Sequence, residues 1–235
     1  MKYLLSSGGE HDERFAGIIT TPGHRGIPLG IKEGAPWAGD NQAFTQGFDP
    51  DIFFPWLDTM SPYRDNCLFL TVPDVVGDAV GTVNLWRKWA GRFHGWPLAF
   101  VAQDGIDANS IGLWADEEME DFTEILEEEG DLYAVEAWLR SQAYVPWSEL
   151  DCLFVGGTTE WKESPACLNV ILQARDRGKH IHIGRVNWWR RYSLFRQVIG
   201  SENFTCDGTR QRFDGLDNAK QAWLDYQNRL TLGLW

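Results

Sequence analysis

The four cysteines of this 235-residue chain, Cys67, Cys152, Cys167 and Cys206, form no Cys-x-x-Cys pair and stand far apart. That spacing argues against a thiolate zinc site and against a disulfide framework. Cys67, Cys152 and Cys206 lie in or beside apolar runs, where a reduced thiol behaves as a small hydrophobe. The five histidines contain no His-x-x-x-His pair, and His180 and His182 share a strand face without an evident third ligand. No metal is therefore expected. No apolar run approaches the roughly 18 residues of a membrane helix, and the opening Met1–Glu10 is too short in its apolar part for a signal peptide. A cytoplasmic protein that enters no membrane is the expectation. No repeat or low-complexity linker interrupts the chain, so residues 1–235 read as one domain. With 43% hydrophobic and 23% charged residues, disorder over the whole length is excluded.

What the chain does contain is a series of short apolar runs, each ending in a residue with chemistry to offer. They end at Asp40, Asp74, Gln103, Gly156-Gly157, Arg185 and Asp207. A buried parallel strand reads as a continuous apolar run, and its C-terminal end faces the mouth where barrels and open sheets bind ligands. Strands are expected near 2–6, 16–21, 35–39, 67–72, 98–102, 151–155, 180–184 and 203–206. Residues 22–30, rich in glycine and proline, read as loop. Helical patterns fill 76–93, the acidic segment, 164–176, 188–199 and 216–230. Eight strands alternating with helices predict an α/β fold, a single (β/α)8 TIM-like barrel.

The net charge of −13 is unevenly placed. Residues 116–136 hold eleven acids and no lysine or arginine, leaving only −2 for the rest of the chain. Apolar residues recur there at spacings of three and four, which describes amphipathic helix with a solvated acidic face. Residues 175–196 show the opposite bias, with seven basic residues against Asp176 alone. Arg185, Trp188, Trp189, Arg190 and Arg191 interleave cations with aromatics, a pattern that suits phosphates and exposed bases. It equally suits a barrel helix with buried tryptophans and solvated arginines.

Two aspartates at different strand ends, Asp40 and Asp207, are the candidates for paired carboxylate chemistry. At a sugar anomeric carbon one carboxylate can trap the oxocarbenium-like centre while a second acid handles the leaving group's proton. Asp74 can accept from an amino and ring N–H pair, Gln103 can donate to a carbonyl, and Gly156-Gly157 let backbone amides approach a planar ring. Together they match the polar edge of a guanine-like base. Plainer roles compete: Asp40 after Gly39 suits an Asx turn, Asp74 a turn or helix cap, and Gly156-Gly157 relief of crowding. Asp104 is an alternative to Gln103.

At these positions the chain resembles the tRNA-guanine transglycosylase superfamily, and looks closest to its phage and bacterial relatives, the DNA 7-deazaguanine transglycosylases. Asp40-Asn-Gln-Ala-Phe44 stands where that family has an Asp-Ser-Gly-Gly-(Phe/Tyr) motif. Val101-Ala-Gln103-Asp-Gly resembles its Val-Gln-Gly-Gly motif, and Gly156-Gly157-Thr its Gly-Gly turn. The resemblance implies a barrel enzyme, a pentosyltransferase in which Asp207 is the nucleophile and Asp40 the general acid/base. Phe44 would stack on the base, and Asp74, Gln103, Gly156 and Gly157 would read its edge. Asp214 is the alternative nucleophile. The family's Cys-x-Cys-x-x-Cys plus His zinc site is missing, so a compact variant without a zinc subdomain is implied, with DNA as the polymer and tRNA as the alternative. Guanine would be exchanged for a 7-deazaguanine such as 7-cyano-7-deazaguanine, without a cofactor. A glycoside or nucleoside hydrolase and a non-catalytic base-binding barrel remain alternatives, and a homodimer is compatible with the sequence.

Overall fold

The computed structural model describes residues 2–6, 17–43, 47–106, 143–187, 189–200 and 203–208, together with Gln221 and Asp225. Phe44, Trp188, Asp214, the acidic segment 116–136 and nearly all of 216–230 lie outside the described residues. Eight strands follow one another as β1 (Lys2–Leu5), β2 (Gly17–Thr20), β3 (Trp37–Gly39), β4 (Cys67–Thr71), β5 (Leu98–Ala102), β6 (Cys152–Val155), β7 (His180–Ile183) and β8 (Phe204–Cys206). Each pairs in parallel with its neighbours, and β1 closes the ring against β8 through Lys2↔Thr205 and Tyr3↔Cys206. Closure leaves no sheet edge open. The chain is an α/β barrel of the TIM type.

The strands form because most of their positions are apolar on both faces, as suits strands buried on both sides. Along β5, Ala99 and Val101 point inward while Phe100 points to the helices. Leu4, Ile19, Ala38, Phe69, Cys152 and Phe154 complete an inner core of small and aromatic side chains. The outer core is larger and packs Trp37, Leu70, Phe100, Leu153 and Ile183 against the surrounding helices. On β7 and β8 the inner face turns polar, with His182 and Thr205 both buried.

The described helices are α1 (Leu29–Lys32), α2 (Pro50–Met60), α3 (Ala79–Trp89), α4 (Thr159–Lys162), α5 (Pro165–Asp176) and α6 (Trp189–Ile199). Their starts are written in the sequence. Asp49, Asp78, Thr158 and Ser164 each cap a helix by accepting a backbone N–H, and Pro50 and Pro165 occupy first-turn positions. Two expectations need correction. The loop expected over 22–30 ends early, because α1 begins at Leu29. Helix α2, between β3 and β4, is absent from the expected helices, and it carries Pro55 inside it. The helix persists because Phe53, Leu57 and Met60, at helical spacing, are buried against the barrel. Each such burial contributes roughly 1.5–3 kcal/mol, enough to offset a proline's cost of about 3 kcal/mol when three act together.

Candidate active site

Inward parity carries past the strand ends, so the residues two beyond the last inward strand position also face the barrel axis. Gln103 continues Ala99 and Val101, Gly156 continues Cys152 and Phe154, and Asp207 continues Thr205. Asp40 follows β3 in the same way. With Asp74, which lies one residue out of that parity after β4 but is held by Asn41 and Gln103, they meet at one mouth at the C-terminal ends of the strands.

Asp74 is held rather than merely present. Asn41 Nδ2 donates to its Oδ1 at 3.0 Å and Gln103 Nε2 to its Oδ2 at 2.6 Å. Asn41 is itself fixed: its backbone N–H donates to Thr71 Oγ1, and its side chain donates to Val72 O and accepts from Ala43 N. Gln103, only 2% exposed, accepts from Gly77 N at 3.0 Å through Oε1. The cap of α3 is Asp78 and not Asp74, which leaves Asp74 to the mouth. Burial raises the Asp74 carboxyl above its ordinary range, and the two amides and the nearby Arg185 charge oppose that rise.

Gly156 and Gly157 sit where side chains would collide. A Cβ on Gly156 would lie 2.8 Å from Gln103 Nε2 and 2.9 Å from Val101 Cγ1. Gly157 has φ +71°, a left-handed conformation costly for other residues, and a Cβ there would meet Asp104 Oδ2 at 2.6 Å. Asp104 accepts from both the backbone N–H and the hydroxyl of Thr158, latching the β6 loop onto the β5 loop. Asp104 is thus a loop clamp.

Asp40 forms an Asx turn, its Oδ1 accepting from Gln42 N at 2.7 Å. The turn and a role at the mouth coexist. Burial pushes its carboxyl up to about 6; repulsion from Asp207 and Asp74 adds to this, and the Gln42 amide opposes it. Asp207, whose side chain is 16% exposed, behaves oppositely. Burial alone would raise it, but His182 by hydrogen bond and attraction, the Arg185 amide and the Lys162 charge hold it below the ordinary carboxylate value. Its Oδ1 accepts from Arg185 N at 2.9 Å and from His182 Nε2 at 3.2 Å. Two carboxyls at one mouth, one driven toward ionisation and one toward holding a proton, form the separation that assigns acid/base roles.

The basic residues divide. Arg185, with φ +59°, turns its guanidinium to Gly157 O at 2.7 Å and so belongs to the mouth. Arg191 pairs with Glu163 at 2.9 Å and is only 16% exposed. Trp189 and Arg190 open α6, and Trp188 lies outside the described residues, as does Phe44.

Three residues at the site were not singled out from sequence. Asn41 carried no signal beyond following Asp40. His182 had one: it shares the inward face of β7 with His180, and a ring buried there needs partners. Lys162 gave none, yet it is 2% exposed and donates to Gly184 O at 2.7 Å. Burial, helped by the Arg185 charge, lowers its ammonium to about 8 against the pull of Asp207. Among the described residues no group of three or more His, Cys, Asp or Glu is placed to hold a metal ion, and no helix is long and apolar enough to cross a membrane. No protein-family model matches the chain, and comparisons with curated proteins and with solved structures find no match either.

Proposed function

We propose that this barrel is a base-exchange transglycosylase that replaces guanine in a polynucleotide, DNA before tRNA, with a 7-deazaguanine. The observation that carries the reading is the pair Asp40 and Asp207 at one mouth, with the first pushed up to about 6 and the second held down. The pinned Asp74 supports it, since a fixed carboxylate beside them suits the N–H edge of a purine.

The Asp207 carboxylate attacks C1′ of the target nucleotide as the bond to guanine breaks, giving a covalent aspartyl–sugar ester. Protonated Asp40 gives its proton to the departing base. The incoming 7-deazaguanine loses its ring N–H proton to the Asp40 carboxylate as that nitrogen attacks C1′, and Asp207 is released. Two inversions give net retention. Asp74 accepts from the base's amino and ring N–H groups, and Gly156 and Gly157 let it lie close to the backbone. A base within a duplex is out of reach, so the target is flipped out or single-stranded, and the start of α6 is the proposed polymer contact.

Exchange of radiolabelled guanine into DNA and tRNA, run side by side, tests this reading. Uptake that is lost in Asp207→Asn, together with an adduct on denaturing gels, is the expected result. Release of guanine without uptake would mean a hydrolase, and binding of base without either event would mean a non-catalytic barrel.

A further inference from the structure

We infer that His182 is a positioning residue that occupies Oδ1 of Asp207 from inside the barrel, so that Oδ2 is the oxygen presented to the sugar; this rests on the reading of Asp207 as nucleophile. His182 is completely buried, its ring packed against Phe69 and Phe154 at centroid distances of 5.0 and 4.6 Å. A polar ring in an apolar core is tolerated only where its nitrogens find partners. Nδ1 lies 2.9 Å from Thr205 Oγ1 and Nε2 lies 3.2 Å from Asp207 Oδ1, while the same Thr205 hydroxyl meets His180 Nε2 at 2.8 Å. The four side chains form one column from the barrel interior to the mouth.

Proton accounting fixes its upper end. An ionised carboxylate only accepts, so His182 Nε2 carries hydrogen and donates to Oδ1. With His182 neutral, the Thr205 hydroxyl donates to Nδ1 and accepts from His180. With His182 protonated, Nδ1–H donates to Thr205, whose hydroxyl turns to His180. Both His182 nitrogens and the Thr205 hydroxyl are satisfied in both arrangements, and both leave an N–H on Oδ1. The Arg185 amide donates to that same oxygen. Two donors fill the lone pairs of Oδ1, and among the described residues none is placed on Oδ2. A column rooted in β7 and β8 thus sets the carboxylate's rotation, which a loop could not do as rigidly. The ester formed at Oδ2 leaves Oδ1 as a carbonyl oxygen still bound by both donors, as in an oxyanion-type cradle.

Other groups act on Asp207 as well: Lys162 on α4, Asp40 beyond β3, and the Tyr3 hydroxyl and Cys206 thiol on β1 and β8. The test must separate His182 from them. Carboxyl-13C NMR of Asp-labelled protein, with the Asp207 signal assigned by its loss in Asp207→Asn, follows the ionisation directly. In His182→Phe, which keeps an aromatic ring in place, the Asp207 midpoint should rise by about one pH unit or more. In His182→Gln, whose amide N–H reaches the Nε2 position, it should return most of the way. Thr205→Val, which cuts the column lower down with little change of volume, should give a smaller rise and stands in if the phenylalanine variant fails to fold. In base exchange, the acid limb of the kcat profile should move up in parallel, with kcat down about 10- to 100-fold, KM for the base unchanged, and rescue by Gln. An Asp207 midpoint indifferent to His182 and Thr205 overturns the inference. A midpoint that moves and is rescued, in a wild-type protein that exchanges no base, upholds the positioning while overturning the transglycosylase reading.

Discussion

Replacing Asp40 with asparagine should make the protein more stable at neutral pH, and progressively less so as the pH falls. The carboxyl is raised from an ordinary 3.8 to about 6, chiefly by burial and then by repulsion from Asp207 and Asp74. A raised value in the folded state means that folding binds the proton. The associated stability is fully present below the unfolded value of 3.8 and is lost as the pH rises through 6. Roughly two pH units at 1.36 kcal/mol each put the deficit of the ionised wild type at pH 7.5 near 3 kcal/mol. Asparagine escapes this deficit because it carries no charge, and its amide oxygen can still accept from Gln42 N. By the same linkage, the deficit at pH 4.5 shrinks to about 1 kcal/mol, so about 2 kcal/mol of the variant's advantage should vanish between the two conditions. Urea unfolding of both proteins at pH 4.5, 6 and 7.5 measures this directly. A stability difference that stays constant across that range, whatever its size, refutes the placement of Asp40 as a strained carboxyl. Stability surrendered at one residue for the sake of its protonation state is what a site for acid/base work entails.

Further outcomes follow from the same geometry. Asp74→Ala removes the partner of two buried amides and should weaken the incoming base about ten- to a hundredfold, from a loss of roughly 1–3 kcal/mol, read as KM or by calorimetry. An unchanged affinity would leave Asp74 a purely structural link between Asn41 and Gln103. Gly157→Ala, forced into φ +71° against Asp104, should destabilise by roughly 1–3 kcal/mol in thermal unfolding and slow exchange as the β6 loop shifts. Arg190→Ala should weaken DNA binding alike on all sequences and flatten the log–log salt dependence by about one unit. Arg191→Ala should flatten it less, because Glu163 already holds that guanidinium.

Most of the barrel was legible because its strands obey one rule, burial on both faces, and each observed strand falls within a residue or two of an apolar run. The end of each run then placed Asp40, Gln103, Gly156 and Asp207 at the mouth by parity, whereas Asp74, one residue out of the Phe69–Thr71 parity, is brought there by Asn41 and Gln103. The contacts that define the site were not legible. Asn41 meets Asp74 across 33 residues and Gln103 meets it across 29, separations at which pattern carries no information about pairing. Arg185 looked like part of a basic stripe until its left-handed backbone turned it inward. The α2 helix was hidden by Pro55, a local signal overruled by tertiary packing. Lys162 was hidden for a related reason, since nothing in Thr-Glu-Trp-Lys announces a buried ammonium.

The pinning of Asp74 has a consequence for discrimination. A carboxylate on a free side chain rotates away from an unsuitable visitor and so tolerates it. With Asn41 behind one oxygen and Gln103 behind the other, Asp74 has no such retreat. A ring edge that presents N–H groups finds acceptors waiting, but an edge that presents a lone pair, as the ring nitrogen of adenine does, is met by lone pairs that cannot withdraw. Under the proposed function, selectivity in such a mouth arises from refusal as much as from welcome, and its stringency depends on two amides that need never touch the base.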